Sequence, residues 1–319
     1  MSKKLCVIIV GLGVQGQKRW KVAKNYVTAC VDPFHDQAEF KSVTDVPLNK
    51  YNAALVCTPD EAKFAVIKYL LSHGKHVFVE KPLITDVPEK LEELNQIAEK
   101  NGVVCYTAYN HRFEPHIIRM KNLIERGSLG KIYSLRMFYG NGTARLVRES
   151  SWRDQAAGVL PDLGSHLLDT VKFWLGNNWD TNLNVVGAHR YENKSFDHFI
   201  IGNSGSPDLQ LEMSLLSWRN HFTADVYAEK GSAHIESLCK WGPSKFIHRE
   251  RVLPSGRPPE DVVVLEQEDP TWALEYDYFR NLIKNGELGN LENDMWLNSL
   301  LSDLARQSGV SSIVPEVLS

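Results

Sequence analysis

The stretch Gly11-Leu12-Gly13-Val14-Gln15-Gly16 decides the fold of this chain. It follows the apolar run 5–10, which is typical of a buried parallel strand, and it precedes residues 17–25, whose pattern suits a helix. A strand, a glycine-rich turn and a helix in this order form the context in which Gly-x-Gly-x-x-Gly indicates a dinucleotide site. The sequence therefore predicts that a dinucleotide binds near the N-terminus of the chain.

The three glycines and a later aspartate have separate expected roles. Gly11 makes the tight turn, Gly13 lets a pyrophosphate approach the backbone, and Gly16 lets the helix pack closely on the strand. Asp32 ends the next apolar run, where an acid hydrogen-bonds the ribose diol of a dinucleotide. NAD is favoured over NADP, because Asp32 would repel a 2′-phosphate and Pro33-Phe34 supplies no arginine to bind one.

The composition limits the classes of function. A length of 319 residues predicts about two domains, and 43% apolar with 24% charged residues is typical of a soluble globular protein. The net charge of −3 gives no electrostatic case for nucleic acid, and no basic or long apolar run favours a membrane. The five cysteines are scattered and form no metal-binding pattern, so we expect no metal and a cytoplasmic location.

From residue 3 to about 107 the sequence alternates between strands and helices, which predicts a parallel sheet within a domain at 1–121. Thr85 or Asp86 is the expected N-cap of one helix in this region. Because such sheets bind ligands at the carboxyl ends of their strands, three further segments are predicted to meet Gly11 and Asp32 there. They are Thr58-Pro59, Glu80-Lys81-Pro82 and Tyr109-Asn110.

After Pro115 the pattern changes to strands without helices between them, which predicts a largely antiparallel sheet in a second domain at 122–319. The turn at 229–232 is typical of a hairpin, and 253–261 is expected to be a loop. Two helices, at about 271–285 and 292–308, close the chain and can pack back on the first domain. The predicted fold class is α/β, with a dinucleotide-binding domain followed by an α+β domain.

Lys81 is the first candidate for chemistry. It follows a predicted strand, and Pro82 holds it out of helical conformation. An ammonium group beside a substrate hydroxyl would stabilise a developing alkoxide and relay a proton. The alternative is an ordinary solvated lysine at a strand end.

A second candidate is the helix predicted to begin near Pro161. Asp162, His166 and Asp169 recur at i, i+4 and i+7 and so share one face. A carboxylate one turn from an imidazole can orient the ring, which suits proton transfer. The same spacing also suits a histidine within a structural network, and Asp169 can simply anchor the helix.

Together these motifs resemble the glucose–fructose oxidoreductase / inositol dehydrogenase family, known as Gfo/Idh/MocA. The resemblance rests on the glycine loop, Thr58-Pro59, Glu80-Lys81-Pro82, Tyr109-Asn110-His111-Arg112-Phe113, the Asp162 to His166 spacing, the hairpin 229–233 and the late segment 275–279. It covers nearly the whole chain. It implies a Rossmann domain followed by a domain with an open mixed sheet, which is often the oligomer interface, so we expect a homodimer or homotetramer.

The resemblance also implies roles for single residues. Lys81, Asp162 and His166 match the catalytic lysine, aspartate and histidine of the family. Binding to the cofactor is expected of Gly11, Gly13, Val14, Gln15, Gly16, Asp32, Thr58, Pro59, Glu80, Lys81 and Asn110. Binding to the substrate is expected of Lys81, Tyr109, Arg112, Trp152, Arg153, Asp162 and His166. For Arg153 the alternative is a salt bridge with Asp154 or a neighbouring acid.

Two positions depart from the family pattern. Lys63 stands where the family often has a histidine, and Ala156-Ala157-Gly158 replaces a run of three glycines that often precedes the catalytic helix. The second departure bears on the substrate class rather than on the reaction type.

The resulting hypothesis is an NAD-dependent oxidoreductase that moves hydride between nicotinamide C4 and a carbinol carbon of a sugar, cyclitol, sugar acid or nucleotide sugar. Two alternatives stay open. One is an enzyme that retains its NAD and uses transient oxidation to assist elimination or hydrolysis. The other is a nucleotide-binding regulatory protein without catalysis.

Overall fold

The structure is a computed structural model that describes residues 5–150 and 153–315. The chain divides into two compact units, one formed by Met1–Asn110 with Trp272–Ser299 and the other by His111–Thr271 with Leu300–Ser319. Compact units need not coincide with domains that fold alone, so the domain boundary expected at residue 121 stays a prediction.

The first unit contains a five-stranded parallel sheet. Its strands, in sheet order β2-β1-β3-β4-β5, are β1 Val7–Val10, β2 Val27–Val31, β3 Ala53–Val56, β4 His76–Glu80 and β5 Cys105–Ala108. The helices between them are α1 Val14–Ala23, α2 Asp60–Ser72 and α3 Glu89–Asn101. The chain order reverses beside β1, so the glycine-rich turn after β1 lies at the point where a parallel sheet binds its ligand.

Both faces of this sheet are buried, which explains why its strands are continuous apolar runs. On one face Ile8 and Val10 pack with apolar residues of α2 and α3, such as Leu70 and Leu94. On the other face alternate residues, including Val7 and Ile9, pack in a second cluster. The unit therefore has two apolar cores separated by the sheet.

The start of α3 differs from the prediction. The helix begins at Glu89, after Pro88, and no side chain caps it. Thr85 Oγ1 accepts a hydrogen bond from the Val87 amide at 3.1 Å, and so shapes the preceding turn. The expectation of an N-cap at Thr85 or Asp86 was wrong, because Pro88 disfavours helical conformation at the preceding Val87, so the helix begins only after this proline.

The second unit contains an eight-stranded sheet in the order β13-β12-β11-β10-β6-β9-β8-β7. Neighbouring strands are antiparallel except for the parallel pair β6 and β9. The strands are β6 Ile132–Gly140, β7 Asn184–His189, β8 His198–Gly202, β9 Asp208–Ser214, β10 His221–Ala228, β11 Gly231–Glu236, β12 Ser244–Glu250 and β13 Glu260–Leu265. The predicted fold class, a parallel α/β domain followed by a largely antiparallel mixed sheet, is confirmed.

Helices cover one face of this sheet. They are α4 Pro115–Glu125, the short α5 Ala144–Arg148 and α6 Ser165–Leu175, which continues from one π-helical turn at Leu160–Gly164. The first packs on β11 and β12, and the π-helical turn packs on β9. The side chains on the covered face, such as Leu211 and Phe222, are fully buried.

Two helices close the chain. They are α7 Thr271–Asn285 and α8 Leu291–Gln307. Within the first unit Phe279 of α7 packs edge-on against Phe78, and Leu291 of α8 joins the core beside α2 and α3. Among the residues that the structure describes, no helix combines the length and apolar composition needed to cross a bilayer.

A substitution at Gly16 tests the close packing of α1 against the glycine-rich turn. A Cβ at this position would lie 1.9 Å from the carbonyl oxygen of Gly11, whereas a Cβ at Gly13 would meet nothing within 4 Å. We expect Gly16→Ala to lower the free energy of unfolding by about 1–3 kcal/mol, because the helix must move away from the strand. Chemical denaturation measures this loss. Gly13→Ala is the matched control, and an equal loss in both variants would contradict the assigned role of Gly16.

Candidate functional site

The glycine-rich turn leads into α1, and the N-terminus of this helix is exposed. Gly11 has a φ of +92° and its amide donates to the Val31 carbonyl at 2.8 Å, so this glycine makes the turn that the sequence predicts. Gly13, Val14 and Gln15 are exposed at the N-terminus of α1, while Gly16 is buried. Open space at Gly13 and a helix N-terminus beside it fit a pyrophosphate.

Asp32 lies beside this turn and helps to shape it. Its Oδ2 accepts a hydrogen bond from the Leu12 amide at 2.7 Å, and its Oδ1 accepts from the Phe34 and His35 amides at 2.9 Å. Burial acts to raise the pKa of Asp32, but these hydrogen bonds and His35 outweigh it and lower the pKa. The carboxylate is therefore held ionised at the place where a ribose diol is expected.

The segment after β3 leads to Lys63, which contacts the segment that follows β4. Thr58-Pro59 connects β3 to α2, and Lys63 lies one turn into this helix. The Lys63 ammonium is buried, contacts Asp60 Oδ1 at 2.6 Å and donates to the Pro82 carbonyl at 2.9 Å. Lys63, which stands where the family often has a histidine, thus holds the residue that follows Lys81.

Glu80 belongs to a buried ion-pair network. Its Oε1 accepts from Arg19 Nε at 2.6 Å, and Arg19 Nη2 donates to Glu275 Oε2 at 2.8 Å. Burial alone would lower the pKa of Arg19, but the two carboxylates raise it. Burial raises the pKa of Glu275 to about 7, although Arg19 acts in the opposite direction. Glu80 was expected to bind cofactor, and the structure places its carboxylate against Arg19.

Lys81 directly follows β4, and the Lys81–Pro82 peptide bond is cis. Tyr109 and Asn110 follow β5, as predicted. The Tyr109 hydroxyl donates to Asp294 Oδ1 at 3.0 Å, and Tyr109 is almost fully buried. This contact anchors the end of β5 to α8, and the role of Tyr109 in substrate binding stays a prediction.

In the second unit, Asp162 lies in the π-helical turn and His166 in the first turn of α6. Arg153 Nη2 lies 3.9 Å from Asp162 Oδ2. Asp154 instead accepts hydrogen bonds from the Ser195 amide and hydroxyl, both at 2.8 Å. The acid beside Arg153 is therefore Asp162 rather than Asp154. Trp152 lies outside the described residues.

His166 stands in a cluster of aromatic rings. The rings of His111 and His166 stack with centroids 4.0 Å apart, and Tyr139 meets His166 edge-on at 5.9 Å. Lys240 Nζ lies 3.2 Å from His111 Nε2. Sequence reasoning assigned no role to His111 or Lys240, because 129 residues separate the two partners. The second unit thus combines His166 with another imidazole and a cation.

Arg112 is held by Asp169 in a two-pronged ion pair. Its Nε and Nη2 donate to the two carboxylate oxygens at 2.8 and 2.6 Å, and Asp169 is buried. Such bidentate geometry fixes the plane of the guanidinium group. This agrees with the alternative that Asp169 anchors its helix, while the role of Arg112 in substrate binding stays a prediction.

The sequence also indicated no role for Arg19, and it predicted no partners for Lys63 and Glu275. Arg19 carried a local signal, because a charged residue on the sheet-facing side of α1 breaks the apolar pattern. Within the described ranges, no group of three or more histidine, cysteine, aspartate or glutamate side chains could hold a metal ion.

Comparison with models of protein families shows which family this chain belongs to. The oxidoreductase family model described as the NAD-binding Rossmann fold matches residues 5–109, and the Gfo/Idh/MocA C-terminal domain model matches residues 117–234. The chain belongs to the Gfo/Idh/MocA family. The resemblance that the motifs indicate is therefore confirmed, and residues 5–109 have the NAD-binding Rossmann fold.

The alignments between this chain and its curated relatives cover only part of each protein. The chain is 29% identical over 164 residues to scyllo-inositol 2-dehydrogenase (NADP(+)) IolW of Bacillus subtilis, covering 50% of this chain and 44% of that protein. It is 26% identical over 200 residues to trans-1,2-dihydrobenzene-1,2-diol dehydrogenase of Bos taurus, covering 60% and 57%. The chain thus spans about half the length of the curated relatives that it matches.

Solved structures share the fold at low sequence identity. A levoglucosan dehydrogenase in complex with NADH has a TM-score of 0.81 at 15% identity, covering 96% of this chain and 97% of that one. UDP-N-acetylglucosamine 3-dehydrogenase GnnA from Acidithiobacillus ferrooxidans has a TM-score of 0.78 at 16% identity, covering 95% and 97%. At these identities the likeness shows the Gfo/Idh/MocA fold alone.

The raised pKa of Glu275 makes stability depend on pH. Between about 4.5, its ordinary value, and about 7, the folded protein keeps a proton on Glu275 that the unfolded chain releases. The contribution of Glu275 protonation to the free energy of unfolding is therefore complete below about pH 4.5 and is lost as pH rises towards about 7. In Glu275→Gln, which imitates the protonated acid, this loss should disappear. The free energy of unfolding relative to wild type should then rise by about 1–3 kcal/mol between pH 5 and pH 8.

Urea denaturation at four pH values across this range measures the difference. Glu93→Gln, an exposed glutamate of the same unit, is the control and should leave the pH dependence unchanged. A Glu275→Gln difference that stays constant with pH would mean that Glu275 is ionised throughout.

Proposed function

We propose that this protein is an NAD-dependent oxidoreductase that transfers hydride between nicotinamide C4 and a carbinol carbon of a sugar, cyclitol, sugar acid or nucleotide sugar. The observation that carries the proposal is the Asp32 carboxylate, held ionised beside an open glycine-rich turn. This arrangement supplies the donors and acceptors that a pyrophosphate and an adenosine ribose require. Asp32 Oδ2 accepts the Leu12 amide and, as an ionised carboxylate oxygen, retains acceptor capacity for a ribose hydroxyl.

The names of the relatives support the class of substrate. The curated relatives include dehydrogenases of scyllo-inositol and of levoglucosan, and a structure with the same fold is a UDP-N-acetylglucosamine 3-dehydrogenase. Each of these names denotes oxidation of a polyhydroxylated ring. We extend this substrate class to the present chain, without choosing one compound.

When bound, NAD supplies the hydride acceptor for the reaction. The amides of Gly13, Val14 and Gln15 hold its pyrophosphate, and Asp32 holds its ribose. Thr58, Pro59, Glu80 and Asn110 complete the cofactor-binding set. These assignments place the cofactor on the first unit.

The chain's own side chains handle the proton of the substrate hydroxyl. His166 takes this proton as the C–O bond gains double-bond character, and Asp162 orients the imidazole. Lys81 donates to the same oxygen and stabilises its negative charge. In the reverse direction, which reduces the carbonyl group, His166 returns the proton to the same oxygen.

Four residues are proposed to contact the rest of the substrate: Tyr109, Arg112, Trp152 and Arg153. Arg153 is half-exposed and only 3.9 Å from Asp162, so its guanidinium can bind a substrate hydroxyl or acid near the catalytic helix.

A homodimer or homotetramer in the cytoplasm completes the proposal. Apolar side chains on the strands of the second sheet stay exposed, among them Tyr227 and Val264, which is 58% exposed. Exposed apolar residues on the open side of a sheet support contact with a second copy.

The experiment that tests this function is a screen of NAD reduction with the purified protein against cyclitols, anhydrosugars, sugar acids and nucleotide sugars. NADH formation, followed at its absorption maximum, with at least one of these classes is the expected result. Binding of NAD without NADH formation from any of them would contradict the proposed activity.

The cofactor preference depends on the charge of Asp32. Asp32→Asn keeps an acceptor for the Phe34 and His35 amides but removes the charge that repels a 2′-phosphate. We expect the ratio of the NADP and NAD dissociation constants to fall at least about tenfold, since a charge-assisted hydrogen bond contributes about 1.5–3 kcal/mol. Fluorescence titration measures both constants. The exposed Asp36→Asn is the control, and a wild type that already prefers NADP would refute this role.

His166 is the proposed acid/base. His166→Ala should lower turnover by about 10²–10⁴-fold and leave NAD affinity near wild type, and the acidic limb of the pH–rate profile should vanish. Steady-state kinetics from pH 5 to 9 measure these changes, with the exposed His221→Ala of the same unit as control. If the acidic limb persists in His166→Ala, the proton passes to Lys81 instead.

A further inference from the structure

The buried face of α1 contains a charged side chain. Gly16, Arg19 and Ala23 are the buried residues of this helix, and Arg19 is 1% exposed. Arginine is almost never fully buried unless it is paired, because removing its charge from water is costly. Its presence one turn after the glycine-rich turn therefore requires a reason.

Arg19 joins two carboxylates from different elements. Its Nε donates to Glu80 at the end of β4, and its Nη2 donates to Glu275 of α7. The guanidinium group also contacts two aromatic rings, 4.3 Å from the centroid of Phe78 and 4.1 Å from that of Trp272. Such stacking restricts the plane of the group, so both ion pairs keep a defined direction.

A second buried cation acts on the other side of Lys81. Lys63 of α2 is 3% exposed and donates to the Pro82 carbonyl, while Asp60 balances its charge. The residue before Lys81 is thus held by Arg19, and the residue after it by Lys63. These are the two neighbours that determine where the backbone of Lys81 lies.

We infer that Arg19 and Lys63 are positioning residues for Lys81. They hold Glu80 and Pro82 and thereby set the place of the Lys81 ammonium relative to the glycine-rich turn. This inference rests on the proposed function, in which Lys81 contacts the reacting oxygen. Arg19 and Lys63 are both buried and act through Lys81 rather than on the substrate.

Catalysis explains why such anchoring is useful. A displacement of about 1 Å in a catalytic group can reduce the rate about a hundredfold. Side chains that are fixed by a supporting set of contacts on rigid elements keep the required geometry. Anchoring of Lys81 to α1 ties it to the same helix whose first turn is expected to hold the pyrophosphate.

The test compares Lys63→Met and Arg19→Lys with wild type. Met keeps the length of the Lys63 side chain but loses the donor, and Lys keeps the charge of Arg19 but loses the planar fork whose Nε and Nη2 donate to the two carboxylates in fixed directions. We expect kcat to fall at least about tenfold in each variant, while the NAD dissociation constant stays within about threefold. Lys63→Arg should restore part of the activity. Lys68→Met, an exposed lysine on α2, is the matched control and should keep wild-type kcat.

Double variants separate positioning from a purely structural role. If Lys63 acts through Lys81, Lys63→Met should lower kcat little or not at all when Lys81 is already Met. A structural role would lower the melting temperature while kcat per NAD-binding site stayed at the wild-type value. Wild-type kcat in Lys63→Met and Arg19→Lys would overturn the inference. Effects that multiply in the Lys81→Met background would also overturn it.

A measurement without substrate keeps this inference distinct from the proposed function. The rate at which trinitrobenzenesulfonate modifies Lys81, followed by peptide mass spectrometry, should change at least about threefold in Lys63→Met but not in Lys68→Met. If Arg19→Lys fails to fold, the inference is tested by the Lys81 modification rate and the kcat of Lys63→Met alone. An unchanged Lys81 rate would overturn the inference. A wild type that reduces no NAD would contradict the proposed function alone.

Discussion

The neutralisation of one buried guanidinium group organises the first unit. Arg19 must be paired to be buried at all, and its two partners lie 61 and 256 residues away in the sequence. Satisfying them brings the end of β4 and the helix α7 to the helix that follows the glycine-rich turn. The sheet itself could form from apolar runs alone, but the relative positions of these three elements depend on this network. Similar polar anchors recur in the second unit, where Asp169 fixes Arg112 and Asp154 fixes Ser195.

The sequence predicts those features whose signals are local. Continuous apolar runs identify the five parallel strands, and Gly11, Gly16 and Asp32 occupy the positions that their spacing indicates. The sequence indicates no strand at Ser244–Glu250, which forms β12, because this segment contains three charged residues and lacks clear alternation. The ion pairs of Arg19 and the stacking of His111 on His166 were missed for a different reason. Such contacts depend on tertiary packing between residues far apart, and no short window of sequence contains both partners.

The departure at Lys63 shows how a substitution within a family is accommodated physically. A histidine can donate one hydrogen bond to a carbonyl without carrying a charge, whereas a lysine brings a full charge into a buried place. Asp60 balances this charge at 2.6 Å and lies in the first turn of α2, where the helix dipole stabilises a carboxylate. In this chain the hydrogen bond to the Pro82 carbonyl holds the segment containing Lys81, and the ion pair with Asp60 is what makes a buried lysine acceptable there.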